Sequence, residues 1–353
     1  MAIFLLNYIS IPIYDLLIKK KRVILFLVIL QMFLILALRA DTLGVDLVDY
    51  KVFFEHYKTM SFGEIIRGFR VIGGSAHIYG LESGYVLFNW LIGKLGVGFH
   101  TFLVIYAGLI LASVAVFIDR YCKDIPIALA TFVSLGGFIS MFGILRQSLA
   151  LAIFLCAVPA LVDRKFWKFT LIVCIAGLFH QTFFIALLLY PFSMFKANRT
   201  LFTAVIAGSA VLLAFLPTIY NNVIFPIFVK LGRYYYIDGF MWNNFFLLLI
   251  GLAVLIMIFF KKENKSDNTL LCGFLMTLPF QAIAFYLPVF SRLAGAVFIN
   301  FACPLISNMI SSFNTRSQRV QAKTLAYAGL FLFHVYALIV DGVLIPYVPF
   351  WAA

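Results

Sequence analysis

"GGFISMFGILRQSLALAIFLCAVPALVDRK" runs from Gly136 to Lys165, and apart from Arg146 and Gln147 it is apolar until Asp163. A run of this length and character is a membrane span, since about 20 apolar residues cross the hydrocarbon core. The guanidinium inside it then needs an explanation. A charged side chain at mid-bilayer costs roughly 2.5 to 3.5 kcal/mol on insertion scales, so an arginine there faces protein or a watery cavity and has a partner. That partner is either a carboxylate of this chain or an anion that comes and goes.

The remainder of the chain is of the same kind. Of its 353 residues 64% are hydrophobic and only 12% charged, with mean hydropathy +1.06, against roughly 45 to 50% apolar residues in soluble domains. This predicts an all-α polytopic integral membrane protein of about 10 to 12 transmembrane helices. Residues 1–353 form one integral domain with no room for a separate soluble one. Cys122, Cys156, Cys174, Cys272 and Cys303 sit in or beside apolar runs without CxxC spacing, and are expected as core side chains rather than a metal site or disulfide framework. The formal charge of +13 is ascribed to cytoplasmic loops, not to a nucleic-acid partner. At the start, "MAIFLLNYISIPIYDLLIKKKR" carries its basic cluster after the apolar stretch, the reverse of a signal peptide. Pro12 and Asp15 predict an interfacial helix there.

Most of the 27 basic residues fall into six groups that the positive-inside rule places in the cytoplasm: Lys19 to Arg22; Arg120 with Lys123; Arg164, Lys165 and Lys168; Lys196 with Arg199; Lys261, Lys262 and Lys265; and Arg316, Arg319 and Lys323. These anchors set the direction of each stretch between them. Val23 to Leu38 crosses outward, Phe99 to Ile118 inward, Ile125 to Gly143 outward and Leu145 to Val162 inward, which puts Arg146 near the outer face. Thr200 to Leu216, Phe245 to Phe260, Leu270 to Leu287, Val289 to Ile310 and Thr324 to Val340 follow in alternation. "ESGYVLFNWLIGKLG" is too short to span and is expected to be re-entrant or packed at the outer surface. "FTLIVCIAGLFHQTFFIALLLYPF" lies between two cytoplasmic groups yet is long enough for one span only. Two short helices broken near Gly177 to His180 reconcile these facts and put His180 at an outward-facing tip; one long helix with Lys196 and Arg199 outside is the alternative.

Residues 39–82 then form an outer-face loop, rich in charge. Asp46, Glu55, Lys51 and Lys58 are expected to make exposed ion pairs of little energetic weight. Four arginines, Arg39, Arg146, Arg233 and Arg292, gather on the same face against the charge trend. Either Glu82 or Asp49 balances Arg146 or Arg292, or an anion does, and the gathering favours the anion. Arginine's planar fork suits two phosphate oxygens and stays charged at any ordinary pH, so a lipid with a phosphate or pyrophosphate head is the expected ligand. His180 and Glu82 are the candidate general bases. Absence of a P-loop, G-x-S-x-G, H-E-x-x-H or DxD-type cluster weighs against nucleotide hydrolysis, serine hydrolysis, zinc proteolysis and metal-dependent sugar-nucleotide transfer.

Four patches in order, "LRADTLGVDLVDYKVFF", "YGLESGYVLFNWLI", "GILRQSLALAIF" and "AGLFHQTFFIALLLYP", resemble the EpsG/Wzy-like polysaccharide polymerases of bacterial membranes, and "FSRLAGAVF" looks like that family's later membrane-edge arginine. The resemblance covers roughly Ala37 to Phe301. It implies a GT-C-like, metal-independent and cofactor-free glycosyltransferase of the bacterial inner membrane, with its active site facing the periplasm. Such an enzyme moves a growing glycan from undecaprenyl pyrophosphate onto another lipid-linked repeat unit, with a chain-length regulator as partner. Arg146, Arg292, Arg39 and Arg233 would hold the pyrophosphate, and His180 or Glu82 would take the acceptor's proton. Asp46, Asp49, Tyr50, Tyr85, Gln147 and Tyr235 would contact the glycan, as would Tyr234. Two rival readings remain open: an O-antigen-ligase-like or polyprenyl-phosphate-sugar transferase, and a flippase for lipid-linked oligosaccharide. A flippase would need charges along a path open to both sides.

Overall fold

Apolar runs become helix almost wherever the sequence places them. A computed structural model describes residues 1–44, 46–226, 244–287, 297–341 and 346–352, and the only extended pairing among them is an isolated bridge between Arg39 and Pro349. Helices α1 (Ala2–Leu17) and α2 (Lys21–Ala37) lie side by side. Short helices α3 (Leu47–Thr59), α4 (Phe62–Arg67) and α5 (Ser83–Gly93) follow, then α6 (Phe99–Tyr121), α7 (Ile125–Ser134) and α8 (Leu145–Val162). Helix α9 (Phe166–Phe179) is joined by a 3-10 stretch, Gln181–Leu188, to α10 (Leu189–Phe192). Next come α11 (Arg199–Ile219), α12 (Asn244–Phe259), α13 (Lys265–Leu275) and α14 (Thr277–Ile283). Helices α15 (Ala302–Ser311) and α16 (Arg316–Asp341) complete the described set.

Four helical stretches among the described residues are long and apolar enough to cross a bilayer: Phe99–Tyr121, Leu145–Val162, Arg199–Asn222 and Arg316–Val340. In α6 the buried positions include Phe99, Phe102, Leu103, Tyr106, Ile110 and Phe117, the three-and-four spacing that turns one face to the core. The stretches Arg199–Asn222 and Arg316–Val340 are far less buried, 17% and 11% of their apolar windows. Val211, Phe215, Leu325 and Leu332 project from them, as side chains facing lipid do.

Two single spans of the expected set are not single helices. The stretch Ile125 to Gly143 is the ten-residue α7, then a turn at Gly136 (φ +85°) and a 3-10 turn, Ile139–Phe142. Every residue of α7 is buried, because α1, α2, α15 and α16 pack around it. A helix enclosed by protein can be short, since its ends meet side chains rather than lipid: the Asp124 carboxylate accepts from the N–H of Ile127 at 3.3 Å and so caps the first turn. Leu270 to Leu287 is likewise divided between α13 and α14.

The N-terminal stretch is also corrected. Expected to lie along the interface, α1 instead packs lengthwise on α2, α7 and α16. Phe4 meets Phe142 edge-on at 5.4 Å and Tyr8 stacks with His334 at 5.6 Å. At the other end of the helix Asp15 pairs with Lys323 at 2.6 Å. Asn7, Ser10 and Tyr14 all bond to Gln31 of α2, which lets polar groups lie between apolar helices.

The expected break at His180 is present. Helix α9 ends there in extended backbone (φ −155°), and Phe184 folds back against Gly177, where an added Cβ would sit 2.5 Å from the ring. The base of this hairpin is closed by Arg164, whose Nη1 and Nη2 donate to Ser193 Oγ and O at 2.5 and 2.6 Å, and by Tyr190, whose hydroxyl donates to the Arg164 carbonyl at 3.0 Å. The chain therefore leaves and returns to the same end of the bundle. Fourteen residues of α9 rise about 21 Å, short of the roughly 30 Å hydrocarbon core, so α9 turns back at its His180 tip without the length of a full crossing.

Candidate functional site

Four elements meet at that tip. Arg146 lies in the first turn of α8, whose N-cap, Ile144, has no side-chain acceptor. A cation at the positive end of a helix is electrostatically misplaced unless an anion stands beside it. Here the anion is Glu82: Arg146 Nη1 lies 2.5 Å from Glu82 Oε2, with the guanidinium 28% and the carboxylate 10% exposed. Glu82 occupies the N-cap of α5 but does not cap it. Its second oxygen accepts instead from the backbone N–H of Gln181, next to His180, at 3.4 Å.

Gly84 makes this convergence sterically feasible. An added Cβ there would stand 2.8 Å from both Cβ and the carbonyl oxygen of Leu178, so only a glycine lets the start of α5 rest on the end of α9. Oriented oxygen-first, the Gln181 amide accepts from the N–H groups of Gly73 and Gly74 at 3.2 and 2.7 Å. Both glycines have positive φ, and Ser75 N–H continues the turn to the Leu81 carbonyl at 2.7 Å. Ser83 fixes the loop by exchanging two 2.8 Å hydrogen bonds with the backbone of Arg70. His180 is half-buried, feels the charges of both Glu82 and Arg146, and its Nδ1 lies 2.7 Å from Thr182 Oγ1.

Tyr50 of α3 forms the remaining wall. Arg146 Nε donates to its hydroxyl at 3.3 Å, and the guanidinium carbon lies 6.0 Å from its ring centre. Burial pushes the Tyr50 phenol above its ordinary range, partly offset by the Arg146 charge beside it. Tyr85 sits edge-on to Tyr50 at 5.7 Å.

Of the residues named from sequence, Arg146, Glu82, His180 and Tyr50 are thus brought together. Others are placed differently. Arg39, expected on the pyrophosphate, is wholly buried: its Nη1 donates to the Met141 carbonyl at 3.1 Å, and its guanidinium lies 5.0 Å from the Phe142 ring. Its Nε and Nη2 have no hydrogen-bond partner among the described residues. The 346–352 segment covers that region through Ala40 N–H to Val348 O at 2.8 Å and Phe350 N–H to Leu38 O at 2.9 Å. Tyr50 and Tyr85 are 4% and 0% exposed, so neither offers an open ring face to a sugar. Asp46, with φ +63°, and Asp49 are exposed at the start of α3. Gln147 is buried behind Arg146. Arg233, Tyr234, Tyr235 and Arg292 lie outside the described residues.

Sequence reasoning missed the aromatic platform beside Tyr50. Phe53 packs on Tyr50 at 5.9 Å and on Tyr79 at 4.6 Å, and His56 meets Tyr79 edge-on at 5.3 Å. Tyr79 is 36% exposed. The spacing of Phe53 and His56 on one helix was the available sign; their junction with Tyr79 is tertiary. Among the described residues no three His, Cys, Asp or Glu side chains converge, and the exposed pairs Lys51–Asp41 and Lys58–Glu55 stand apart from the pocket as surface ion pairs.

The model of the EpsG family matches residues 22–349. No curated protein and no solved structure matches the chain.

Proposed function

Because the chain belongs to the EpsG family, we propose that it is a membrane polysaccharide polymerase whose donor is a glycan on undecaprenyl pyrophosphate and whose acceptor is a second lipid-linked repeat unit. The observation that carries this reading is the Arg146–Glu82 pair, a partly open fork in contact with a buried carboxylate at the junction of four elements. When a diphosphate arrives it takes the guanidinium, because two phosphate oxygens match the fork bidentately. Glu82 is then released to face the acceptor sugar.

In the transfer step the acceptor hydroxyl oxygen forms a bond to the donor's anomeric carbon. The bond from that carbon to the pyrophosphate oxygen breaks, and its electron pair stays on the departing diphosphate. The hydroxyl proton goes to Glu82. Arg146 stabilises charge that grows on the leaving oxygen, an interaction stronger in the transition state than before it. His180, with Nδ1 engaged by Thr182, has Nε2 left to orient the acceptor hydroxyl. Sugar rings stack on Tyr79 and Phe53 rather than on Tyr85. The basic groups at the opposite ends of α6 and α8 support an outer-side position for this pocket.

The test is elongation of lipid-linked repeat units by purified variants in detergent. Arg146→Ala is expected to insert and fold yet lose on the order of 10²- to 10³-fold in rate, the cost of removing one preorganised charge donor. Arg146→Lys rescues poorly, because a point charge lacks the fork. Wild-type elongation by Arg146→Ala overturns the proposal.

A further inference from the structure

At the end of the bundle away from Arg146, a cleft of about 330 Å³ is lined by Lys21, Lys123, Asp124, Arg316, Arg319 and Lys323. Three elements distant in sequence supply these cations: the start of α2, the turn between α6 and α7, and the first turns of α16. The carboxylates nearby are already committed. Lys323 holds both Asp15 and Asp124, at 2.6 and 2.9 Å, and Lys123 pairs with Glu263. Lys21 is left with a backbone carbonyl, that of Lys123, at 2.6 Å. Arg316 and Arg319 have no carboxylate partner among the described residues, are exposed, and stand one turn apart at the positive end of a 26-residue helix. Helix polarity and two guanidinium groups therefore add in the same direction. The positive-inside rule explains why basic residues are on this side; it does not explain their convergence on one cleft with the acids spent.

We propose that this cleft binds a phosphate-bearing anion, through Arg316 and Arg319 with Lys21 as third donor. Basic pockets between helices on the cytoplasmic side suit phospholipid head groups, and a soluble phosphate would meet the same donors. The site is separate from the Arg146 pocket and does not depend on the polymerase reading.

The experiment uses the full chain in detergent, as wild type, as the double variant Arg316→Gln/Arg319→Gln, and as Lys165→Gln/Lys168→Gln, which removes two positive charges from another loop. Native mass spectrometry measures retention of dioleoylphosphatidylglycerol against dioleoylphosphatidylcholine, and thermal unfolding is followed with inorganic phosphate. Expected is phosphatidylglycerol retention, or a rise in Tm with phosphate, that falls on the order of ten-fold in the arginine double variant and not in the lysine one. The first response identifies a lipid head group, the second a soluble phosphate, and either supports the site. Equal loss in both variants, or no difference between wild type and the arginine variant for either anion, overturns it.

Discussion

Arg146 was legible from sequence because charge inside an apolar run is costly wherever it occurs, and Glu82 was legible as one of its two named acids. Arg39 looked equivalent and is not. Its burial against Phe142 and beneath the 346–352 segment depends on residues remote in sequence, which no local pattern reports. A buried guanidinium with one hydrogen bond bears a desolvation cost that an apolar side chain of similar volume does not, and the Met141 carbonyl keeps a second donor in the Tyr106 hydroxyl at 2.8 Å. Arg39→Met should therefore elongate within a few-fold of wild type; a loss comparable to that of Arg146→Ala would return Arg39 to the diphosphate. Tyr50→Phe removes one hydrogen bond from the charged Arg146 guanidinium, worth about 1.5 to 3 kcal/mol, so rates should drop by about ten- to a hundred-fold. Because burial raises the Tyr50 phenol above its ordinary value, it stays protonated below pH 10. The pH–rate profiles of wild type and Tyr50→Phe should accordingly have the same shape up to about pH 9.

Among the elements, the hairpin at His180 was foreseeable, because two basic groups flank a stretch too short to cross twice as full spans. Its closure by Arg164 and Ser193 was not, since a serine 29 residues away carries no signal. The enclosed α7 was hidden for another reason: a helix buried on all sides has no polar face, so in sequence it merges with the apolar residues after it. Gly84→Ala tests how tightly the elements are seated. Its methyl would meet Leu178 at 2.8 Å, and overpacking of this kind costs about 1 to 3 kcal/mol. Tm should fall and elongation with it, whereas Gly98→Ala, with open space around its Cβ position, should leave both near wild type. Arg164→Ala should loosen the hairpin base, and faster hydrogen exchange confined to α9 and α10 is the expected readout.

For the molecule as a whole, α6 and α8 run side by side and hold two different ends apart. One gathers Tyr50, Glu82, Arg146 and His180; the other gathers the basic cleft and the Arg164–Ser193 closure. Single cysteines at Tyr79 and Met194, introduced in a background without the native five, should label with a membrane-impermeant reagent from opposite sides of sealed vesicles; labelling from one side would refute the assigned orientation. Sequence charge parity assigns the Arg146 end to the outer side, which this labelling tests, while the composition of each end awaited the fold. Everything functional then rests on one exchange, in which a diphosphate replaces Glu82 on Arg146. The direct measurement is binding of undecaprenyl pyrophosphate to the purified chain and to two variants, with elongation assayed in parallel. Arg146→Ala should lose binding, whereas Glu82→Gln, freed of the competing carboxylate, should bind at least as tightly as wild type while failing to elongate. If Glu82→Gln loses binding as completely as Arg146→Ala, the pair is a structural ion pair and the exchange does not occur.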